Sequence, residues 1–487
     1  MLKTRTSGET IKKGVIIIIA LAVLTALSIV PLPERWRVLE QTTLDMNGQR
    51  ALAVLVFALI LWMTEAVPFH ITGLLGVISL AVLKIGSFQT IVREGFGNHI
   101  VIFFIGVLVL SAFVMRSGLG KRIAVTILSI TGNSTRTILF GFLAAGMLLS
   151  MWITDMAVAA MLMPLGRAIL EEEGVKPLKS NFGKALMISC AWGPIIGGIG
   201  TPAGCGPNPI AIGFLKEMAG IELNFLGWMK YGVPAALVLL PVSWLILVLL
   251  YKPELSHLKK SRSELKDEYK RLPALDKEEK ITIVIFMLTV ILWLTSPLLE
   301  KLLGIAIPIS LPVIFTTSLF FLPGMSKIQW KAIESEISWS GIILVLSGIS
   351  LGMMLYSSGA AKWVSLVTLG GIGNVSAFFM IFIVILGVSL LKIALSSNTV
   401  TATIVIPIII ELSLFMDIST LAVTLPAALT SSLAFILVTS SPTNIIPYSA
   451  GYFSIKDYAK GGVVNTLLSS LLVASVMLVV GTISGLY

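Results

Sequence analysis

The sequence predicts an all-α polytopic membrane protein built as an inverted repeat, with about eleven spans, two re-entrant hairpins and two broken helices. Three observations carry that expectation. The 487 residues are 56% hydrophobic and only 12% charged, with a mean hydropathy of +0.97, whereas an average soluble domain is about 25% charged. Apolar runs long enough to cross a bilayer recur from end to end. Three local patterns also recur, in the same order, in both halves of the chain.

The first recurring pattern is a polar cluster inside an apolar segment. Lys392 to Pro407 reads KIALSSNTVTATIVIP, within a stretch from Val375 to Ile410 whose single ionisable residue is Lys392. Ser and Asn compete for backbone hydrogen bonds and favour helix ends and turns. At membrane depth such irregular backbone is tolerated only where protein buries it or it lines a watery cavity. Ser397–Thr399 therefore reads as the tip of a hairpin that enters the membrane and turns back. Ser150 to Pro164, SMWITDMAVAAMLMP, is its counterpart, with Thr154-Asp155-Met156 standing 243 residues before Ser397-Asn398-Thr399. Downstream of each tip, Gly204-Cys205-Gly206-Pro207-Asn208 matches Ser440-Ser441-Pro442-Thr443-Asn444 at an offset of 236. Upstream, Ser117-Gly118 with Lys121 matches Ser358-Gly359 with Lys362 at an offset of 241. Paired interrupted segments in corresponding places of two halves are the best sequence pointer to a transporter binding site.

In chain order, residues 1–13 carry Lys3, Arg5, Lys12 and Lys13 against Glu9, which places the N-terminus in the cytoplasm. The run from Gly14 to Leu32 has no small-residue cleavage site after it and reads as a retained first span. Further spans are expected at 50–67, 70–86 and 98–116. The first hairpin covers 136–166, and a span at 183–215 is broken at Gly204–Asn208, where Gly and Pro cannot both sit in an intact helix. A sixth span follows at 228–250. Residues 251–280 hold nine Lys/Arg and seven Asp/Glu and read as a solvated cytoplasmic linker. It separates residues 1–250, the first span plus first repeat, from residues 281–487, the second repeat. That half has spans at 281–297, 305–322 and 339–361, a hairpin at 376–410, a broken span at 420–455 and a last span at 462–485. No Lys or Arg lies between Lys392 and Lys456. The asymmetry has the second hairpin enter from outside and puts the C-terminus outside.

The tips and breaks offer Thr154, Ser396, Ser397, Asn398, Thr399, Ser441, Asn208 and Asn444, together with free amides at half-helix N-termini. Such N-termini suit anions, and exposed carbonyls suit a small cation. No Arg or Lys cluster accompanies them, which argues against phosphate-rich substrates. Cys190 and Cys205 lie in apolar context and give no disulfide framework. His70, His99 and His257 lack metal-ligand spacing, and no nucleotide-binding or HExxH motif occurs. No metal, cofactor or catalytic group is expected, and the chain reads as a non-enzyme. The net charge of +10 lies in the connections, where topology explains it without a nucleic-acid partner.

At these residues the chain resembles the divalent anion/sodium symporter family, carriers of di- and tricarboxylates. That family carries Ser-Asn-Thr at each tip and a Pro-Pro-Asn-like motif in each break. Here the second tip is intact as Ser397-Asn398-Thr399, and Ser441 to Asn444 and Gly204 to Asn208 stand for the break motifs. The resemblance implies a homodimer in a bacterial plasma membrane, each protomer with a scaffold and a moving part, working as an elevator among lipids. It implies substrate contacts from Thr154, Asp155, Cys205, Asn208, Asn398, Thr399, Ser441, Pro442 and Asn444. It implies two cation sites, drawing on Ser150, Thr154, Asp155 and Gly204, and on Ser396, Asn398 and Ser440.

The departures bear on mechanism. Asp155 and Met156 replace Asn and Thr at the first tip. Met156 cannot donate to a carboxylate, and Asp155 repels a dianion by about 4 kcal/mol per charge pair at 4 Å and effective dielectric 20. Lys392 could replace a bound cation with a tethered ammonium, although helical side chains lean back toward the N-terminus, away from the tip. It could also snorkel or pair with Asp155. The function expected is transport of C4–C6 di- or tricarboxylates of the succinate, malate and 2-oxoglutarate class, as sodium-independent exchange. Sodium- or proton-coupled symport and an anion channel are the alternatives.

Overall fold

The computed structural model describes residues 7–39, 42–259, 273–369 and 376–486. These form 22 α-helices, and the only strands among them are the two-residue pair Val38–Leu39 and Thr42–Thr43. Among the described residues, nine helices are long and apolar enough to cross a membrane. Two of the nine, Ala377–Ala394 and Asn398–Phe415, are the arms of one hairpin, so length alone does not count the spans. Residues 260–272 of the charged linker lie outside the described residues, as does Gly371 in the connection leading to the second hairpin.

Capping explains where the helices start, and the caps repeat. Asp45 accepts from Gly48 N–H to open Met46–Thr64, and Asp276 forms a capping box with Glu279 to open Lys277–Leu303. Asn98 opens His99–Arg116 and Ser338 opens Trp339–Ser357. Asn224 opens Phe225–Tyr251, and a Ser454–Asp457 box opens Ile455–Ile483. The packing repeats as well. Trp339–Ser357 lies on Phe69–Val82, and His99–Arg116 lies on Ser310–Leu319.

The expected span at 339–361 is interrupted. Gly118 and Gly359 both adopt left-handed backbone, with φ of +81° and +72°. Each ends one helix and starts a separate one, Leu119–Ile130 and Ala360–Leu369. Arg122 on the first of these donates two bonds, of 2.6 and 2.8 Å, to buried Glu279. The start of the linker is also engaged. Glu254 accepts from Ser180 and from Phe182 N–H, and Leu258 N–H donates to Asn133 carbonyl at 2.9 Å. Short helices Phe88–Phe96 and Trp330–Glu334 were not anticipated from hydropathy.

The hairpins cross over between halves. Pro442–Tyr448 packs on Asp155–Glu172, and Pro207–Ala219 packs on Asn398–Phe415. Among the described residues the most extensive helix packing runs between Asn181–Gly198 and Thr135–Ser150. A Cβ on Gly197 would sit 2.1 Å from Met147 carbonyl oxygen. Without a hydrophobic drive between helices in lipid, such small-residue contact holds the bundle. Gly197→Val should therefore destabilise the detergent-purified protein by about 1–3 kcal/mol, read as a lower thermal midpoint. Gly387→Val, where a Cβ meets nothing within 4 Å, should leave the midpoint nearly unchanged.

Candidate functional site

Each break is bracketed by one asparagine. Asn208 Nδ2 donates to the carbonyls of Gly198 (2.7 Å) and Thr201 (2.6 Å). Asn444 Nδ2 donates to those of Ala434 (2.7 Å) and Leu437 (3.2 Å). The spacing is ten and seven residues in both cases. These carbonyls lie where the helix is interrupted, and each takes the amide together with a second donor: Cys205 Sγ for Gly198, Gly204 N–H for Thr201, Tyr458 hydroxyl for Ala434 and Ser440 N–H for Leu437. Both asparagines are fully buried.

The tips are held against the breaks. At the first, residues 151–154 reverse the chain between Thr135–Ser150 and Asp155–Glu172. Thr201 hydroxyl donates to Met151 carbonyl, Asp155 N–H to Gly204 carbonyl at 3.1 Å, and Thr154 N–H to Ser111 Oγ at 3.3 Å. At the second tip, Ser397 Oγ accepts from Val400 N–H and Ser440 Oγ donates to Lys392 carbonyl at 3.3 Å. Lys392 is buried, and its ammonium donates to Asn398 Oδ1 and, at 2.8 Å, to Ser431 carbonyl. The lean away from the tip does not separate Lys392 from it. The hairpin folds back, so Asn398 lies alongside the preceding arm within reach of the four-carbon stem. Ser431 is the penultimate residue of Thr420–Ser432, so the ammonium sits at a helix C-terminus, where the dipole favours positive charge.

Between the tips and the neighbouring helices lies a cavity of about 360 Å³. Six helices begin at its wall: Asp155–Glu172, Asn398–Phe415, Pro207–Ala219, Pro442–Tyr448, Phe69–Val82 and Trp339–Ser357. Of the residues expected at the substrate, Thr154, Asp155, Cys205, Asn398, Thr399, Ser441 and Pro442 line the cavity. Asn208 and Asn444 do not; they face the breaks. Of the expected cation set, Thr154, Asp155, Ser396 and Asn398 line it, while Ser150, Gly204, Lys392 and Ser440 stand behind the tips. Sequence reasoning missed Thr443, His70, Ser338, Ser340 and Phe104 on the wall. Pro68 and Ser338, each the residue preceding a helix, were the available signal.

The cavity is electrostatically lopsided. Asp155 is its one acidic lining residue, and no Lys or Arg is among the described residues that line it. Asp155 Oδ1 accepts from Met156 N–H at 2.8 Å. Among the described residues it makes no ion pair within 4.0 Å, with Lys392 or any other base. Cys205 Sγ lies 2.8 Å from Ser432 Oγ, linking the first break to the second. Ser150 Oγ is fully buried and has no hydrogen-bond partner among the described residues.

The profile of the family described as "Sodium:sulfate symporter transmembrane region" matches residues 12–485. The chain is similar to the sodium-dependent dicarboxylate transporter SdcS of Staphylococcus aureus strain USA300, 30% identical over 453 residues. The match covers 89% of this chain and 86% of that protein, and SdcS from strain NCTC 8325 gives the same figures. Among solved structures, the YdaH transporter of Alcanivorax borkumensis superposes with a TM-score of 0.55 at 15% identity, covering 98% of both chains. MtrF of Neisseria gonorrhoeae gives 0.54 at 12% identity, covering 98% of this chain and 95% of that one. At such identities these two speak to the fold alone.

The bracket and the wall should separate experimentally. Asn208→Ala and Asn444→Ala each remove one of the two donors from two buried carbonyls, at about 0.5–1.5 kcal/mol per lost bond. Both should lower the thermal midpoint of the ligand-free protein, and by similar amounts. Thr399→Ala should leave that midpoint nearly in place and weaken ligand binding instead.

Proposed function

The chain belongs to the divalent anion/sodium symporter family, and from that premise we propose that it is a secondary carrier of C4–C6 dicarboxylates. The observation that carries this reading is the convergence of six helix N-termini and the intact Ser397-Asn398-Thr399 tip on one cavity. Each helix N-terminus offers up to about half a positive charge, and the hydroxyl and amide side chains add donors, so a carboxylate is held without a basic residue. The cavity volume falls within the roughly 300–1,000 Å³ of small-molecule sites. The S. aureus relatives, named as dicarboxylate transporters, support the same substrate class.

The movement proposed is an elevator. The hairpins and broken helices form the mobile part, re-entrant from opposite faces. The remaining helices form the scaffold of a homodimer, as the family resemblance implies. The paired left-handed glycines at 118 and 359 are suited to the hinges such a motion needs. Hairpin tips that close the cavity fit alternating access better than the continuous pore of a channel. The proposed orientation keeps the N-terminus in the cytoplasm and the C-terminus outside a bacterial plasma membrane.

For coupling, the reading is exchange without sodium. Lys392 already donates to Asn398 Oδ1, an oxygen that a sodium ion at the second tip would draw on, and to Ser431 carbonyl. The ammonium moves with the carrier, so the site stays charged when empty and returns best with substrate aboard. A second reading, sodium symport through the first tip, is supported by the buried Ser150 Oγ, which ends the helix leading to that tip and has no hydrogen-bond partner among the described residues, and by the sodium dependence in the relatives' name.

Proteoliposomes in sodium-free choline buffer at fixed pH decide between them. Uptake of labelled succinate or 2-oxoglutarate should require unlabelled dicarboxylate inside and ignore sodium outside. Accumulation by empty vesicles only under an inward sodium gradient would establish the second reading. Asn398→Ala and Thr399→Ala should each weaken substrate affinity roughly 10- to 150-fold, the loss of one hydrogen bond to a charged group at about 1.5–3 kcal/mol.

A further inference from the structure

The two tips match in backbone and differ in what they show the cavity. The second presents hydroxyls and an amide: Ser396, Ser397, Asn398 and Thr399. The first presents a carboxylate and a thioether, Asp155 and Met156. A plain dicarboxylate spanning the cavity would set one of its own carboxylates against Asp155. The N-terminus of its own helix offsets part of that repulsion, but no Lys or Arg lines the cavity among the described residues. The Met156 side chain has no proton to donate, and the Lys392 ammonium is held by Asn398 and Ser431. The hydrogen bond that Asp155 does receive, from Met156 N–H, leaves it without an ionic partner within 4.0 Å among the described residues.

We propose that the substrate brings the missing charge, and that the preferred substrate is an amino dicarboxylate. Its ammonium meets Asp155, while its carboxylates turn toward Thr399, Asn398 and the helix N-termini. Asp155 and Met156 are then specificity-determining residues. Asp155 attracts an ammonium, and Met156 withholds the donor that a bare carboxylate at that end would need. This rests on the dicarboxylate reading of the cavity and goes beyond it in naming which members of the class fit. No sodium is required to neutralise Asp155, because the ligand does so itself.

The test is ligand-dependent thermal stabilisation of the purified full-length protein, with L-aspartate, L-glutamate and succinate, in choline and in sodium buffer. In choline, the better amino dicarboxylate should reach half-maximal stabilisation at a concentration at least tenfold below that of succinate. The double variant Asp155→Asn/Met156→Thr should reverse that order, and its ligand-free midpoint reports whether it folds. The proposal is overturned if succinate matches or exceeds both amino acids in choline. It is overturned equally if adding sodium brings succinate level with them, since sodium then occupies Asp155. If none of the three acids stabilises the protein in either buffer, the dicarboxylate reading falls along with it. Succinate binding alone leaves that reading standing and removes only the amino preference.

Discussion

A helix that stops inside a membrane leaves carbonyls and amides with no water to bind. The site depends on how this chain settles that debt. On the carbonyl side, Asn208 and Asn444 each bridge two groups across a gap of identical spacing. On the amide side, local caps take some of the N–H groups, Ser397 that of Val400 and Asp155 that of Met156, and the helix N-termini still face the cavity. The same interruption thus ties its carbonyls into the break and turns its N-termini to the cavity. Thr201 beside the first break then fastens the first tip at Met151, and Cys205 ties that break to Ser432.

The frame is symmetric and the chemistry is not. Caps, glycine turns and asparagine brackets recur between the halves with little change. The residues that meet the cavity diverge: Thr-Asp-Met against Ser-Asn-Thr, and Cys205 against Ser441. Duplicated backbone supplies the anion-favouring field twice. Side chains then divide the labour, with an ammonium fixed behind one tip and a carboxylate exposed at the other. The two charges make no ion pair within 4.0 Å: Lys392 is turned toward the C-terminus of Thr420–Ser432, and Asp155 toward Met156 N–H.

Much of this was legible in the sequence because membrane insertion makes irregularity expensive. Ser-Ser-Asn-Thr in an apolar run had to be a tip, and Gly with Pro in another had to be a break. The recurrence of both at nearly one offset exposed the repeat. What stayed hidden was direction. Asn208 and Asn444 read as ligand donors, since an amide in a break can face either the cavity or the backbone, and composition does not say which. Lys392 was expected to lean from the tip, because the side-chain rule applies to one helix and the contact lies across a hairpin. The scaffold wall was missed for another reason. His70, Ser338 and Phe104 sit in ordinary spans, and only tertiary packing brings their helix starts to the tips.

The tethered Lys392 ammonium has an electrical consequence under the exchange reading. Moving one elementary charge through 100 mV is worth about 2.3 kcal/mol, so a carrier that returned empty with that ammonium would have the membrane voltage acting on it. If the carrier instead crosses loaded both ways, whatever charge is built into its moving part crosses and returns equally. Swapping one acid for another of equal charge is then electrically silent, and its direction follows the two concentration gradients alone.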